Sequence, residues 1–183
     1  MADGLIDEIV EYWFSEAVKP YWFASSPSFD RQVRDTLLEP HERAAAGGLD
    51  HWMDDVDGCL ALCILLDQVP RNVFRGTPRA FATDGKARAV ARHAVQHGFD
   101  LECGPEERSF LYLPFEHHED LSSQRLSVQL FRERVGVSDS IDWAERHLAV
   151  VERFGRFPHR NAILGRESTP EELEFLKQPG SAF

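Results

Sequence analysis

The sequence has few cysteines, no long hydrophobic run and no glycine-rich phosphate loop. Three cysteines in 183 residues cannot form a disulfide framework, which favours a reducing compartment. The longest apolar run, CLALCILL at 59–66, is far too short to cross a bilayer. The acidic N-terminal segment also has no basic region of the kind that a signal peptide needs. We therefore expect a cytoplasmic protein that does not act on a membrane.

Basic residues are outnumbered, with 20 Lys and Arg against 31 Asp and Glu and a formal net charge of −11. A negative chain repels polyanions at long range, which argues against general binding to DNA or RNA. The bases are also unevenly placed, because residues 71–99 and 148–170 contain more bases than acids. In a compact fold these two segments can neutralise acidic ones or surround a charged pocket.

No stretch alternates apolar and polar residues for long enough to predict a strand. Apolar residues instead recur at spacings of three and four, beginning with Ile6, Ile9 and Trp13. A chain of 183 residues, 43% hydrophobic, can bury one substantial core, so we expect a single domain over residues 1–183. The predicted fold is all-α, built from antiparallel helical hairpins and without a repeat of fixed period.

Prolines set several expected helix boundaries, because proline lacks the N–H that a helix interior needs. We expect Pro40 to kink or split a helix over residues 29–46. We expect Val69-Pro70 to end a helix over residues 55–68, which is apolar on nearly every face and therefore central to the core. Pro114 should likewise interrupt a helix that starts at Pro105.

Capping residues predict the remaining boundaries. Thr83 is the expected N-cap of a helix that Gly98 closes. A helical pair should follow over 121–135 and 138–154, and Thr169 should open a capping box for a short last helix.

Three segments between the helices combine proline with clustered polar and aromatic residues. They are LLDQVPRNVFRG at 65–76, LPFEHHED at 113–120 and RFGRFPHRNAILGR at 153–166. The last contains four arginines, a histidine and an asparagine, but no acid. Loops often carry function because they present polar groups from a rigid scaffold. We therefore expect these three segments to build a polar site.

The same segments, with FATD at 81–84 and LGREST at 164–169, resemble the bacterial family known as domain of unknown function nine-two-four. The resemblance extends over nearly the whole chain, including WF at 13–14 and FD at 29–30. It implies an all-α, tetratricopeptide-repeat-like fold and no established activity. It also leads us to expect serine where this chain has His118, which argues against an indispensable role for His118.

Arginines are the main candidates for ligand binding, because guanidinium groups bind carboxylate or phosphate through paired hydrogen bonds. The candidate ligand-binding residues are Arg71, Asn72, Arg75, Arg156, Arg160 and Asn161. The alternative is that these arginines pair with the protein's own carboxylates in a structural network that needs no ligand.

Two histidines are the candidate proton carriers, because histidine titrates near neutral pH. His159 or His117 would move the proton, while Asp67 and Glu119 would fix their partners. The spacing of these residues matches no metal motif, and nearby arginines disfavour a dication, so we assign no metal ligand. No cofactor is expected either.

Two functions of different classes stay open. The first, which we favour narrowly, is a site that binds a small anionic metabolite and hydrolyses it or transfers a group on it. The second is a non-catalytic helical scaffold that binds a protein or peptide, with structural arginine–carboxylate clusters.

Overall fold

The computed structural model describes residues 3–182, and this range contains helices and no strand. A π-helical turn, Ile64–Gln68, joins the third and fourth helices, and a second, Phe131–Val135, extends the seventh. The predicted all-α class is confirmed, whereas the tetratricopeptide-like arrangement and the single domain stay predictions. No helix in this range is long and apolar enough to cross a membrane. The helices are α1 Asp3–Trp13, α2 Pro27–Ala45, α3 Val56–Cys63, α4 Val69–Val73, α5 Asp84–His97, α6 Pro105–Glu116, α7 Leu121–Leu130, α8 Ser138–Phe154 and α9 Pro170–Leu176.

The centre of the core is α3 with the π-helical turn that follows it. Every residue over 58–70 is buried, and this segment packs against α1, α2, α5 and α6. A helix that is apolar on all faces is stable in water only when other helices cover it on all sides. The apolar run at 59–66 therefore determines where the other helices gather.

The Val69-Pro70 pair does not end this helix, contrary to the expectation. In the π-helical turn before it, the N–H of Val69 donates to the carbonyl of Ile64, five residues back. The chain then continues as α4 through Pro70. A π-helical turn contains one residue more than an α-helical turn, and here it allows the helix to continue through Pro70.

Side chains from other helices satisfy the carbonyls that Pro70 cannot reach. Because Pro70 has no N–H, it gives no hydrogen bond to the carbonyls of Leu65 and Leu66. His41 Nδ1 donates to Leu65 O at 2.8 Å, and Thr83 Oγ1 donates to Leu66 O at 2.6 Å. Thr83 precedes α5 as expected, but its hydroxyl makes this tertiary bond and does not cap the helix.

The other two prolines do not break their helices either. Pro40 lies within α2, and Pro114 lies within α6, which continues to Glu116. Both prolines are buried. Each removes one intrahelical hydrogen bond, but most helical stability in proteins comes from tertiary packing. The predicted interruption at Pro114 and the predicted split at Pro40 were therefore wrong, because they used local sequence alone, whereas a kink at Pro40 stays a prediction.

Boundaries set by glycines and caps agree with the sequence. Gly98 closes α5 in the left-handed conformation with φ 77°, and α8 has the predicted bounds. Thr169 and Glu172 form the predicted capping box, since Thr169 N donates to Glu172 Oε2 at 2.8 Å and Glu172 N donates to Thr169 Oγ1 at 3.2 Å.

Gly58 marks a close approach between backbone segments. A Cβ at Gly58 would lie 2.0 Å from the carbonyl oxygen of Trp52. Gly58→Ala should therefore destabilise the fold by about 1–3 kcal/mol, as overpacking does in general. Gly85→Ala is the matched control, because a Cβ there meets no atom within 4 Å and alanine favours a helix by up to about 1 kcal/mol. Urea denaturation measures both, and equal stability of the two variants would contradict this packing.

Candidate functional site

A cleft of about 380 Å³ opens where the turn before α5, the end of α6 and the segment after α8 meet. Its polar lining consists of Asp84, His117, His118, Glu119 and Arg160. Two of the three predicted polar segments thus contribute directly to one site. The volume lies in the range of small-molecule sites.

Arg160 is the most unusual residue of the cleft. Its guanidinium lies between two aromatic rings, 4.6 Å from the centroid of Phe81 and 4.6 Å from that of Phe157. The residue is 7% exposed, and its Nε has no hydrogen-bond partner among residues 3–182. The nearest carboxylate oxygen, Asp84 Oδ2, is 3.7 Å away, which is too far for a hydrogen bond.

The charge of Arg160 persists despite this burial. Desolvation, followed by the repulsion of Arg71, lowers the pKa of Arg160 to about 10. The guanidinium therefore stays protonated at neutral pH in surroundings that disfavour its charge.

The two carboxylates of the cleft already have their own arginines. Asp84 accepts two hydrogen bonds from Arg71, at 2.9 and 3.0 Å. Glu119 accepts two from Arg166, at 2.8 and 2.9 Å, and one from the backbone N–H of Phe157 at 2.7 Å. Arg71 and Arg166 are thus each matched by a carboxylate, whereas Arg160 has no such bidentate pair.

Asp67 lies behind the cleft and fixes His117. It is 1% exposed, accepts from Gln68 Nε2 at 2.6 Å and lies 3.2 Å from Arg71 Nη1. His117 Nδ1 approaches its two oxygens at 2.8 and 2.9 Å. Burial alone would raise the pKa of Asp67, but Arg71 and His117 lower it well below its ordinary value. Asp67 is therefore an ionised buried carboxylate.

His117 and His118 are held in opposite tautomers. A carboxylate only accepts, so His117 Nδ1 carries a proton toward Asp67. Arginine only donates, so His118 Nδ1 accepts from Arg88 Nη1 at 2.7 Å and the His118 proton is on Nε2. Burial lowers the pKa of both rings, aided by the positive charges of Arg71 and Arg88, so both are neutral at pH 7.

Arg75 and Asn72 lie away from the cleft. Because α4 ends at Val73, Arg75 extends toward α2 and donates two hydrogen bonds of 2.8 Å to Asp30. Asn72 accepts from Arg75 at 3.3 Å and donates to Gln68 O at 3.1 Å. Arg75 therefore links the end of α4 to α2, and Asn72 holds the Arg75 side chain.

Arg156 and Asn161 belong to a C-terminal network. Arg156 donates to both oxygens of Glu172, at 2.7 and 2.8 Å. Asn161 donates to Glu172 Oε2 at 3.2 Å and accepts from Arg166 Nε at 3.0 Å. Their polar groups anchor α9 to the segment after α8, so they are not directed at the cleft.

His159 is partly buried and is not among the residues that line the cleft. Burial and the adjacent Arg160 lower its pKa to about 4, so the ring is neutral at pH 7. His117, not His159, is the candidate proton carrier that faces the cleft.

Sequence reasoning missed Phe81 and Arg88, and it gave His118 too little weight. Phe81 is part of the FATD motif, so the motif itself was the signal that could have placed it near the site. No local signal connects Arg88, in the middle of α5, with His118, because the two meet only through tertiary packing.

The buried carboxyl group of Glu116 makes the stability of the fold depend on pH. Burial, aided by the negative charge of Asp67, raises the pKa of Glu116 from 4.5 to about 8. The folded protein therefore keeps a proton that the unfolded chain loses above pH 4.5, so stability falls as pH rises from 4.5 to 8.

Glu116→Gln should remove this loss, because glutamine stays neutral at all these pH values. The difference in unfolding free energy between Glu116→Gln and the unchanged protein should grow, in favour of the variant, by up to about 1.4 kcal/mol per pH unit between pH 5 and 8. At pH 4 the variant should have no such advantage. Urea denaturation across this range tests the prediction. A difference that does not vary with pH would show that Glu116 does not hold a proton.

Comparison with known proteins places the chain in a family. The model of a family described as bacterial protein of unknown function, DUF924, matches residues 9–180. The chain belongs to this family. Among solved structures, the chain is similar to the protein of unknown function ATU0120 from Agrobacterium tumefaciens, at 42% sequence identity and a TM-score of 0.91. That alignment covers 96% of this chain and 98% of the other. The comparison with curated proteins gave no match.

Membership of the DUF924 family confirms the resemblance that the sequence motifs indicate. The family description assigns no activity, so any function has to be argued from the cleft.

Proposed function

We propose that this DUF924 protein binds a small anion in the cleft, with Arg160 as the principal ligand. The proposal rests on the burial and the free hydrogen-bond donor of the Arg160 side chain. It is a buried cation whose Nε has no partner among residues 3–182, whereas Arg71 and Arg166 beside it are each paired with a carboxylate. Burying a charged group with an unsatisfied hydrogen-bond donor is costly, and a bound anion would offset that cost.

The start of α5 supports the same conclusion. Gly85 lines the cleft in the first turn of this 14-residue helix. The first N–H groups of a helix have no intrahelical acceptor, and the helix dipole adds partial positive charge there. An anion beside Arg160 would therefore be attracted by two separate features.

The alternative, in which the arginine clusters are structural, agrees with part of the network. Arg75 and Arg156 are paired with Asp30 and Glu172, away from the cleft. These contacts restrict the proposed anion site to Arg160 and its immediate neighbours. We therefore propose a pocket for a small ligand and not an extended peptide-binding surface.

Thermal unfolding in sodium phosphate, succinate and butyrate, against sodium chloride at equal ionic strength, tests the proposal. An anion at one hundred times its dissociation constant should stabilise the fold by about 2.7 kcal/mol. Gly85→Phe should abolish this stabilisation by filling the cleft, since a side chain at Gly85 enters open space. Gly85→Ala is the control and should keep it. Equal stabilisation of Gly85→Phe, or none by any of these anions, would contradict the proposal.

A further inference from the structure

We infer that the cleft hydrolyses carboxylic esters of small anionic compounds, with His117 as general base and His118 as the hydrogen-bond donor to the oxyanion. This inference rests on the proposed function, because Arg160 has to hold the anionic group of the substrate. Both histidines and Arg160 line the same cleft of about 380 Å³.

His117 has the geometry of a general base. Asp67 fixes the proton on Nδ1, so the lone pair is on Nε2, which has no hydrogen-bond partner among residues 3–182. A buried carboxylate behind the ring also stabilises the imidazolium that forms when Nε2 takes a proton. Asp67 is therefore a positioning residue, and His117 is the group that contacts the reacting water.

His118 complements His117 because its tautomer is reversed. Arg88 donates to Nδ1, which leaves the proton on Nε2 and disfavours a second proton on the ring. A neutral imidazole of this kind is a poor proton donor but a good hydrogen-bond donor to a developing negative charge. The Gln124 side chain donates to the carbonyl of His118 at 2.6 Å and holds the loop in place.

The free donor of Arg160 selects the class of substrate. Asp84 and Glu119 each accept two hydrogen bonds from an arginine of their own, Arg71 and Arg166, whereas the Nε of Arg160 has no hydrogen-bond partner among residues 3–182. A carboxylate matches the planar guanidinium and can accept from its free donor. The substrate is therefore a small ester that carries one further carboxylate, such as the half-ester of a dicarboxylic acid.

The reaction needs only water as a second reactant. His117 Nε2 accepts a proton from water while the water oxygen bonds to the ester carbonyl carbon. The carbonyl oxygen becomes an oxyanion that accepts a hydrogen bond from His118 Nε2. The bond from carbon to the alcohol oxygen then breaks, and this oxygen takes the proton from His117. Carboxylic acid and alcohol leave, and both histidines return to their starting states.

Hydrolysis of 4-nitrophenyl hemisuccinate, compared with the uncharged 4-nitrophenyl butyrate, tests the inference. His117→Ala should lower kcat/KM on the hemisuccinate by at least about 100-fold while butyrate still stabilises the fold. His118→Ala should lower kcat by about 100-fold with little change in KM. His118→Ser, in which a hydroxyl can still donate a hydrogen bond, should lower kcat less than His118→Ala does. His93→Gln, on α5 but outside the cleft, should match the unchanged protein.

Arg160→Met should reduce the preference for the anionic over the uncharged ester by at least about tenfold. If the unchanged protein hydrolyses the hemisuccinate no faster than His117→Ala, the inference is wrong. Should butyrate still stabilise the fold in that case, the anion site stands and only the hydrolysis is refuted. If neither hydrolysis nor stabilisation is observed, the proposed function fails together with the inference.

Discussion

Arg160→Met should make the protein more stable in the absence of ligand and insensitive to the anions that stabilise the unchanged protein. The environment lowers the pKa of Arg160 to about 10, so it disfavours the charged form that is present at pH 7. Methionine keeps most of the apolar stem between the Phe81 and Phe157 rings but removes the charge. Asp84 keeps its bidentate partner Arg71 and is not left alone.

Two opposing effects set the size of this gain. Relief of the unfavourable burial contributes at most about 1.4 kcal/mol per unit of pKa, and loss of the ring contacts subtracts about 0.5–2 kcal/mol. The expected net gain is about 1–2 kcal/mol in the unfolding free energy measured in urea. Residues kept for binding often lower stability in this way.

The structural alternative predicts the opposite sign. If Arg160 were the essential partner of Asp84, its removal would leave a buried carboxylate unpaired and cost about 3–5 kcal/mol. Arg75→Met is the matched control, because Arg75 pairs with Asp30 at the surface and its loss should cost less than about 1 kcal/mol.

Asp67→Ala should be strongly destabilising, by about 3–5 kcal/mol, because it leaves two donors without their buried acceptor. Asp67 accepts from His117 and Gln68 and faces Arg71. The matched control is Asp30→Ala, which breaks the more exposed pair with Arg75 and should cost less than about 1 kcal/mol. Urea denaturation at pH 7 measures both, and equal losses would contradict the central position of Asp67.

Asp67 should also make the stability of the fold decrease in acid. Its pKa is lowered in the folded protein, so the unfolded chain binds a proton more readily. The contribution of Asp67 is therefore complete above its ordinary pKa of 3.8 and is lost as the pH falls below that value. Asp67→Asn should consequently differ most from the unchanged protein near pH 7 and less at low pH. A difference that does not narrow in acid would show that Asp67 is not ionised in the fold.

Much of the fold could be predicted because its boundaries depend on neighbouring residues. Gly98 and the Thr169 capping box act within one helical turn, and the sequence places both correctly. The prediction at Pro70 was wrong because the hydrogen bonds that this proline cannot make are replaced by tertiary ones. The His41 ring and the Thr83 hydroxyl donate to the free carbonyls, and they reach the helix only in the folded protein.

The site was predicted less well for a similar reason. The sequence shows which segments are rich in arginine but not which carboxylate each arginine meets. Asp30 of α2 pairs with Arg75, and Glu172 of α9 pairs with Arg156. Tertiary packing alone distinguishes these satisfied arginines from Arg160, whose Nε has no partner in the described range.

Titration calorimetry with sodium butyrate, on the unchanged protein and on Arg160→Met, tests whether Arg160 holds an anion in the cleft. We expect saturable binding of one anion per chain to the unchanged protein and to Arg75→Met, and an affinity at least about 100-fold weaker for Arg160→Met. Binding that persists unchanged in Arg160→Met, or no saturable heat with the unchanged protein, would contradict it.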